Sequence, residues 1–331
     1  MFDTQLHLFL QQLPEHGVLL PLMLTISDWG YAPAYAVAIL VASFAWHLRA
    51  GLSLLLAVIL MSGTVSLVKH HTDLPRPTDV DSRLLDNGQA HRALVEAGQT
   101  DGFFALPPPE AIDAFRQQPR PRNAGFLSGH TGVTTALCTA LLFCLRRPRR
   151  STGLMLLLAL PGVMAFSRLY LGRHFLADVV AGWAVGLLAG TLAVLLMLPR
   201  RKASPILPRY ALHLTTLAVV MIGTVIPGLP PLVPGAMVGL SLLLTWLDVR
   251  GWPPAAYNLT SRLGSLTAGC LLTALTGGAL WLLLRWLPGV GSQSGQGVLA
   301  AVTLPLPFLL WATIWHRLQP HRPATSHDRA S

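Results

Sequence analysis

The stretch FLADVVAGWAVGLLAGTLAVLLML, residues 175–198, contains a single charged side chain, Asp178. A helix needs about 20 mostly apolar residues to cross a bilayer core, so this stretch predicts a membrane span. Eight further apolar runs lie along the chain, near residues 19–46, 51–69, 131–145, 153–171, 210–228, 231–248, 265–286 and 297–316. The sequence therefore predicts an all-α fold, a polytopic transmembrane helical bundle of about nine spans.

The composition excludes several other classes of protein. Of the 331 residues, 52% are hydrophobic and 11% are charged, although the net charge is +10. A soluble domain carries about 25% charged residues, and nucleic-acid binders are usually basic because they are rich in charge. We therefore expect no nucleic-acid partner. Abundant apolar residues exclude disorder, and three cysteines inside apolar runs exclude a disulfide scaffold.

The apolar runs divide the chain into three parts. Residues 5–13 are amphipathic and predict that residues 1–18 form an interfacial N-terminal segment. Residues 19–198 form a membrane core, with a long polar loop at 70–125 that has room for short helices at 89–98 and 109–118. Residues 199–331 form a membrane extension of four spans with a cytoplasmic tail. This extension has no recognisable catalytic set; it is a candidate for homo-oligomerisation, for shielding the substrate entrance or for binding a second lipid.

Arginine placement predicts the orientation of the bundle. With nine spans, the basic loops and the C-terminus all fall on one side, which the positive-inside rule makes cytoplasmic. The N-terminus and the loop at 70–125 then lie outside the membrane. Short loops and a strong preference for arginine over lysine indicate a bacterial protein. We expect a multi-pass protein of the bacterial inner membrane whose functional face is the periplasm or exterior.

Polar residues concentrate in three segments that this topology brings to the outer face. The first is KHHTDLPRP at 69–77, the second is Ser128-Gly129-His130, and the third is SRLYLGRHFLAD at 167–178. Lys69, Arg76 and Arg168 are donors suited to phosphate oxygens. Ser128 and Gly129 stand just before a predicted helix, whose free N–H groups also favour an anion.

Two histidines and an acid complete this constellation. His130 and His174 offer an acid/base and a nucleophile. Asp178 follows His174 by four residues, which on a helix puts both side chains on one face. A carboxylate that bonds one ring nitrogen fixes the tautomer and leaves the other nitrogen free to attack. The set is suited to phosphoryl transfer through a phosphohistidine.

The three motifs in this order resemble the type 2 phosphatidic acid phosphatase superfamily, which includes the lipid phosphate phosphatases and is related to vanadium haloperoxidases. The resemblance covers residues 20–198. It implies that His174 is the nucleophile, that Asp178 orients it and that His130 is the general acid. The phosphate would be held by Lys69, Arg76, Ser128, Gly129 and Arg168. It also implies that no metal or other cofactor is needed. One departure is Leu127, where the family commonly has proline.

The resemblance implies a lipid phosphatase, with undecaprenyl diphosphate as the first candidate substrate and phosphatidylglycerophosphate or phosphatidic acid next. A phosphotransferase that passes the phosphate to lipid A or another lipid uses the same first half-reaction, so it stays open. A transporter and an inactive lipid-binding relative are weaker alternatives. Arg173, His70 and His71 have no assigned role. Gly182, Gly186 and Gly190 predict a helix-packing face.

Overall fold

The computed structural model describes residues 1–13, 18–85, 108–117, 124–145, 149–197, 206–253, 258–286 and 293–318. All regular secondary structure within these ranges is helical. The predicted all-α class is therefore confirmed. The C-terminal residues 319–331, where a cytoplasmic tail is expected, lie outside the described ranges.

The N-terminal part contains three helices that do not form one straight span. They are α1 (Gln5–Gln11), α2 (Leu19–Asp28) and α3 (Ala32–Leu40), and α3 continues into a π-helical segment, Val41–Trp46. The axes of α2 and of the α3 segment differ by 60°. The single span expected at 19–46 is thus a broken pair. The bend lies at Trp29 and Gly30, between Asp28 and the proline-containing start of α3.

The first core helix is α4 (Leu48–Thr72), and it is followed by the short helices α5 (Pro77–Val80) and α6 (Pro109–Gln117). Most residues of α4 between Leu48 and Gly63 are buried, so α4 is the central helix of the bundle. Helix α6 confirms the expected helix near 109–118. The helix expected at 89–98 lies outside the described residues.

The next group is α7 (Gly129–Cys144), α8 (Arg150–Leu154), a π-helical segment Met155–Ala159, α9 (Leu160–Tyr170) and α10 (Leu176–Met197). Helices α7 and α10 pack closely because glycines remove side chains from the interface. A Cβ atom on Gly186 would lie 2.8 Å from the Cβ of Thr135, and one on Gly190 would lie 2.8 Å from the Cβ of Thr139. The glycine face that the sequence predicted on α10 therefore packs against α7.

The C-terminal helices are α11 (Ile206–Val225), α12 (Leu232–Arg250), α13 (Leu259–Trp286), α14 (Gln293–Thr303) and α15 (Leu306–Leu318). Helix α12 contacts α4, where a Cβ on Gly63 would meet Val233 at 3.0 Å. Of the three cysteines, which all lie in apolar runs, Cys138 is buried, Cys144 is half-buried and Cys270 is exposed.

The number of spans differs from the nine expected. Among the described residues, five helices are long and apolar enough to cross a membrane, and the bent α2–α3 pair makes six. Helix α7 and residues 210–225 are apolar but shorter. A count of nine is not confirmed, whereas a multi-pass membrane protein is. Large apolar side chains such as Leu188 and Leu242 are exposed, as expected of surfaces that face lipid.

Arg49 and the site motifs lie at opposite ends of the core helices. Arg49 is at the start of α4 and Lys69 is near its end. The Arg49 guanidinium donates to the carbonyl of Met197 at the end of α10 (2.8 Å) and stacks on the Trp252 ring at 3.8 Å. Asp178 is at the other end of α10. The core therefore has one end that carries Arg49 and one end that carries the predicted site.

Candidate active site

His174 and Asp178 are both buried, and Nδ1 of His174 lies 3.5 Å from Oδ2 of Asp178. The sequence predicted that one helix carries both residues. In the structure α10 begins at Leu176, so His174 lies in the turn before the helix and only Asp178 is helical. The two side chains still meet, because the turn folds back onto the first turn of α10.

Asp178 also fixes the start of α10. Its Oδ2 accepts the backbone N–H of Phe175 at 2.8 Å. This contact is the one that the third helical residue makes in a capping box, where an acidic side chain satisfies the N–H before the helix. The carboxylate therefore holds the turn that carries His174 as well as lying beside its ring.

The second motif is joined to the third through the backbone. Ser128 precedes α7, and its N–H donates to the Asp178 carbonyl at 3.0 Å. Ser128 is fully buried, and its hydroxyl pairs with that of Thr131 at 3.0 Å. A Cβ on Gly182 would come within 2.6 Å of the Ser128 carbonyl. The glycine face of α10 thus lets the Ser128 turn approach the Asp178 end of the helix.

His130 lies in the first turn of α7 and faces the bend between α2 and α3. Its ring meets the Tyr31 ring edge to face, with 4.6 Å between the centroids. A Cβ on Gly30 would overlap the His130 ring, so glycine provides the space for it. Within the described part of the chain, Nε2 of His130 is buried and has no hydrogen-bond partner. A buried polar atom of this kind is typically satisfied by a ligand or water.

The first motif supplies two cations. Lys69 Nζ donates to the Ala124 carbonyl at 2.6 Å, a contact that joins the end of α4 to the segment before α7. The Gly125 N–H donates to the Leu74 carbonyl at 2.7 Å and reinforces the same junction. Arg76 is buried, and its N–H donates to the Asp79 carboxylate at 2.9 Å. The turn into α5 is thereby fixed.

Arg168 is 4% exposed and comes from the end of α9. Its guanidinium hydrogen-bonds the hydroxyl of Ser27 on α2. The neighbouring Ser167 hydroxyl donates to the Met23 carbonyl at 2.7 Å. Nε of Arg168 is buried and has no hydrogen-bond partner among the described residues. Helix α2 therefore anchors this cation and leaves the Nε–H of the guanidinium available to a ligand.

The surroundings favour an uncharged His174. Burial, together with the positive charges of Arg168, Lys69 and Arg76, lowers the pKa of His174 well below its usual 6.5. The imidazole is therefore neutral at pH 7, and a neutral ring nitrogen carries the lone pair that a nucleophile needs. The same convergence of cations creates a positive site suited to an anion.

The comparison with protein families matches residues 46–202 to the PAP2 superfamily. Just under half of the chain therefore resembles the PAP2 superfamily. The family suggested by the three motifs is the one found, and all eight predicted site residues lie within the matched range. A comparison with curated proteins gives no match, and neither does a comparison with solved structures.

The PAP2 match supports a phosphatase that acts on phosphate esters in a membrane setting. The residue roles and the absence of a cofactor stay predictions. The PAP2 segment ends before α11, so the C-terminal helices lie outside it. They still reach the site's edge, because Gly228, with φ of +103°, packs against the His70 side chain beside Lys69.

Sequence reasoning missed the contribution of residues before the PAP2 segment. Ser27, Gly30 and Tyr31 contact Arg168 and His130, and no spacing rule connects them with residues that lie 99 or more positions away. Arg173, which was given no role, is buried. Leu127, at the family's proline position, is also buried and packs in the main core.

Proposed function

We propose that the protein is a membrane lipid phosphatase that removes a phosphate or diphosphate head group through a phosphohistidine on His174. The observation that carries this proposal is the buried His174–Asp178 pair, 3.5 Å apart, with positive charge from Arg168, Lys69 and Arg76 around it. A neutral histidine buried among three cations has little structural use. A phosphate dianion would neutralise these cations and satisfy their remaining donors.

Lys69, Arg76 and Arg168 would hold the phosphate oxygens, with the Ser128–Gly129 turn completing the cradle. Guanidinium groups present several donors in fixed directions, and the N-terminus of a 16-residue helix adds N–H groups and a favourable dipole. As the phosphoryl group is transferred, negative charge spreads over its oxygens. Donors fixed before the reaction stabilise that charge without reorganisation.

In the first step, Nε2 of His174 attacks phosphorus, a P–N bond forms and the P–O bond to the leaving group breaks. Asp178 lies on the Nδ1 side of the ring and stabilises the positive charge that develops on it. The bound phosphate dianion offsets the cations that lower the pKa of His130 in the free protein. His130 is therefore protonated in the complex and gives its proton to the leaving oxygen. The products of this step are the phosphohistidine and the lipid alcohol, or the lipid monophosphate if the substrate is a diphosphate.

In the second step, water attacks the phosphohistidine. His130, now neutral, takes a proton from that water, the P–N bond breaks and inorganic phosphate leaves. His174 returns to its neutral form and His130 to its protonated form, so the cycle closes. Every proton and bond in it is accounted for by these residues, the substrate and one water.

The distribution of arginines supports an outward-facing site. Arg49 and the arginines at the start of α8 lie at the core end remote from His174, and the positive-inside rule makes that end cytoplasmic. The substrate would then enter from the outer leaflet of a bacterial inner membrane. Undecaprenyl diphosphate is the first candidate, followed by phosphatidylglycerophosphate and phosphatidic acid.

The test is phosphate release from these three lipids by purified protein and by His174→Ala. His316→Ala is the matched control, because His316 lies on α15 beside Gly251 at the Arg49 end of the core. We expect the wild type and the control to release phosphate from at least one lipid and His174→Ala to release none. Wild-type release that survives in His174→Ala would exclude the proposed nucleophile.

Hydrolase and phosphotransferase differ in the second step. Without an acceptor lipid, a hydrolase continues to release inorganic phosphate, whereas a transferase stops after one phosphate has been loaded on each protein. We expect continuous release. A single burst of dephosphorylated lipid without inorganic phosphate, followed by turnover only after addition of lipid A, would instead identify a phosphotransferase.

The proposed cycle uses no metal. In the part of the chain that the structure describes, no three His, Cys, Asp or Glu side chains converge as metal ligands would. We expect phosphate release to be the same after incubation with EDTA as before it. Loss of activity with EDTA, restored by a divalent cation, would contradict the metal-independent cycle.

A further inference from the structure

The N-terminal helix α1 lies against the turn that carries His174, although it is outside the PAP2 segment. His7 and Leu10 of α1 are buried. Leu10 packs in a cluster with Leu169, Tyr170 and Leu171 at the end of α9. A purely interfacial helix would leave its polar residues in water, but the only histidine on α1 points into the protein and is fully buried.

His7 makes a direct hydrogen bond to the catalytic turn. Its Nε2 lies 2.8 Å from the carbonyl oxygen of His174. A carbonyl only accepts, so Nε2 of His7 must carry the hydrogen and donate it. Burial lowers the pKa of His7, although its backbone hydrogen bonds act in the opposite direction. A neutral His7 donates this bond without adding charge beside His174.

Aromatic packing holds the same turn from the side. The His7 ring meets the Phe175 ring at 84° with 5.8 Å between centroids, and Phe2 meets Phe175 at 65° and 5.5 Å. Phe175 is fully buried. It follows His174 directly, and its N–H is the one that Asp178 accepts. His174 and Phe175 are thus held by Phe2 and His7 on one side and by Asp178 of α10 on the other.

A second contact links α1 to the segment that carries Arg76. The Gln11 amide donates to the Leu85 carbonyl at 2.7 Å and accepts the Leu85 N–H at 2.9 Å. Gly172, with φ of +68°, fits between them: a Cβ there would meet the Leu85 carbonyl at 3.1 Å and the Gln11 amide at 3.3 Å. Residues 1–11 therefore join the His174 turn to the chain just after α5.

From these contacts we infer that His7 is a positioning residue for the phosphoryl-transfer reaction. Its Nε2–H bond fixes the backbone of His174, and its ring fixes Phe175, so that the His174 imidazole is held between Asp178 and the phosphate. This inference rests on the proposed function, since it assigns His7 a role in the same reaction. It also gives the segment before the PAP2 core a function of its own.

The test compares His7→Gln with His7→Asn. The glutamine amide reaches the position of Nε2, whereas the asparagine amide stops short of it, and both side chains are polar and uncharged. Phe9→Leu is the matched control on the same helix, because Phe9 is 63% exposed. The readouts are kcat and KM for dioctanoyl phosphatidic acid, the base-stable and acid-labile phosphoenzyme formed in single turnover, and thermal unfolding.

We expect His7→Asn to lower kcat by about 100-fold, the order of effect that a misplaced reacting group produces, with KM little changed. Because Lys69, Arg76 and Arg168 do not move with His7, phosphate binding should persist. His7→Gln should recover most of kcat, and phosphoenzyme formation should slow in parallel with kcat. Phe9→Leu should match the wild type.

A folded His7→Asn variant with wild-type kcat would overturn the inference, and so would a His7→Gln variant as slow as His7→Asn. If His7→Asn does not fold, His7→Phe takes its place, since it keeps a ring against Phe175 and removes the donor. Failure of the proposed function is a separate result, because the wild type and Phe9→Leu would then release no phosphate either.

Discussion

Nδ1 of His174 and Oδ2 of Asp178 lie 3.5 Å apart, while the same Oδ2 accepts the Phe175 N–H at 2.8 Å. The first distance is longer than a hydrogen bond, as is common for catalytic pairs before substrate binds. The second is an ordinary helix-capping contact. One carboxylate thus has a structural partner and, in the proposed reaction, a catalytic partner, and the two roles are separable by substitution.

Asp178→Asn should separate them. The asparagine carbonyl oxygen still accepts the Phe175 N–H, so thermal stability should stay near that of the wild type. The charge that stabilises the His174 ring is lost, and kcat should fall by roughly 100- to 10,000-fold, as for carboxylates that orient a catalytic histidine. Steady-state phosphate release and thermal unfolding on the same preparations check this. A variant with wild-type kcat would show that the carboxylate has only its capping role.

His130→Ala should slow the reaction according to the leaving group. A general acid contributes roughly 100- to 10,000-fold, and it matters most when the leaving oxygen is a poor one. We expect a larger loss with phosphatidic acid, which must release an alkoxide, than with p-nitrophenyl phosphate, whose leaving group needs no proton. Equal losses with both substrates would contradict the acid role and indicate that His130 serves binding alone.

Gly30→Ala should impair the reaction although residue 30 is outside the PAP2 segment. The added Cβ overlaps the His130 ring and forces it to move. We expect kcat to fall by about 100-fold, because a displacement of about 1 Å at a reacting group has this effect. Gly162→Ala on α9 is the matched control, since nothing lies within 4 Å of its added Cβ. Equal losses of kcat in Gly30→Ala and Gly162→Ala would argue against an effect of residue 30 on the His130 ring.

Protonation of His174 should occur well below pH 6.5. Burial and the surrounding cations lower its pKa in the folded protein, so the ring stays neutral as pH falls through 6.5 and gains a proton only at lower pH. Nitrogen-15 NMR of histidine-labelled protein reports this titration, and His174→Gln identifies the signal. A His174 signal that titrates at or above pH 6.5 would show that the cations do not act on the ring as the structure indicates.

Gly186→Ala should lower stability through the α7–α10 interface. Its Cβ would press on the backbone of Gly132, and overpacking of this kind costs about 1–3 kcal/mol. Gly264→Ala on α13 has open space around the added Cβ and should be neutral or slightly stabilising, because alanine favours a helix. Thermal unfolding in detergent compares the two. Equal stabilities would mean that α7 and α10 can separate without loss.

The sequence by itself determined the helical class and the residues that lie together at the site. Apolar runs of span length allow only helices in lipid, and the spacing of Lys69, His130 and His174 relative to those runs put them at the same end. Such patterns are local, so they can be read along the chain. The same pattern placed His174 on a helix, which is wrong because Asp178 caps the Phe175 N–H and α10 begins only at Leu176.

The tertiary structure decided what surrounds those residues. The Ser27 contact with Arg168, the Gly30 space for the His130 ring and the His7 bond to the His174 carbonyl all join positions more than 90 residues apart. Two of them involve a backbone carbonyl or an empty volume, which leave no signature in side-chain spacing. Only packing of the N-terminal helices against α7 and α9 creates them, because burial of apolar surface, and no local pattern, selects which distant segments meet.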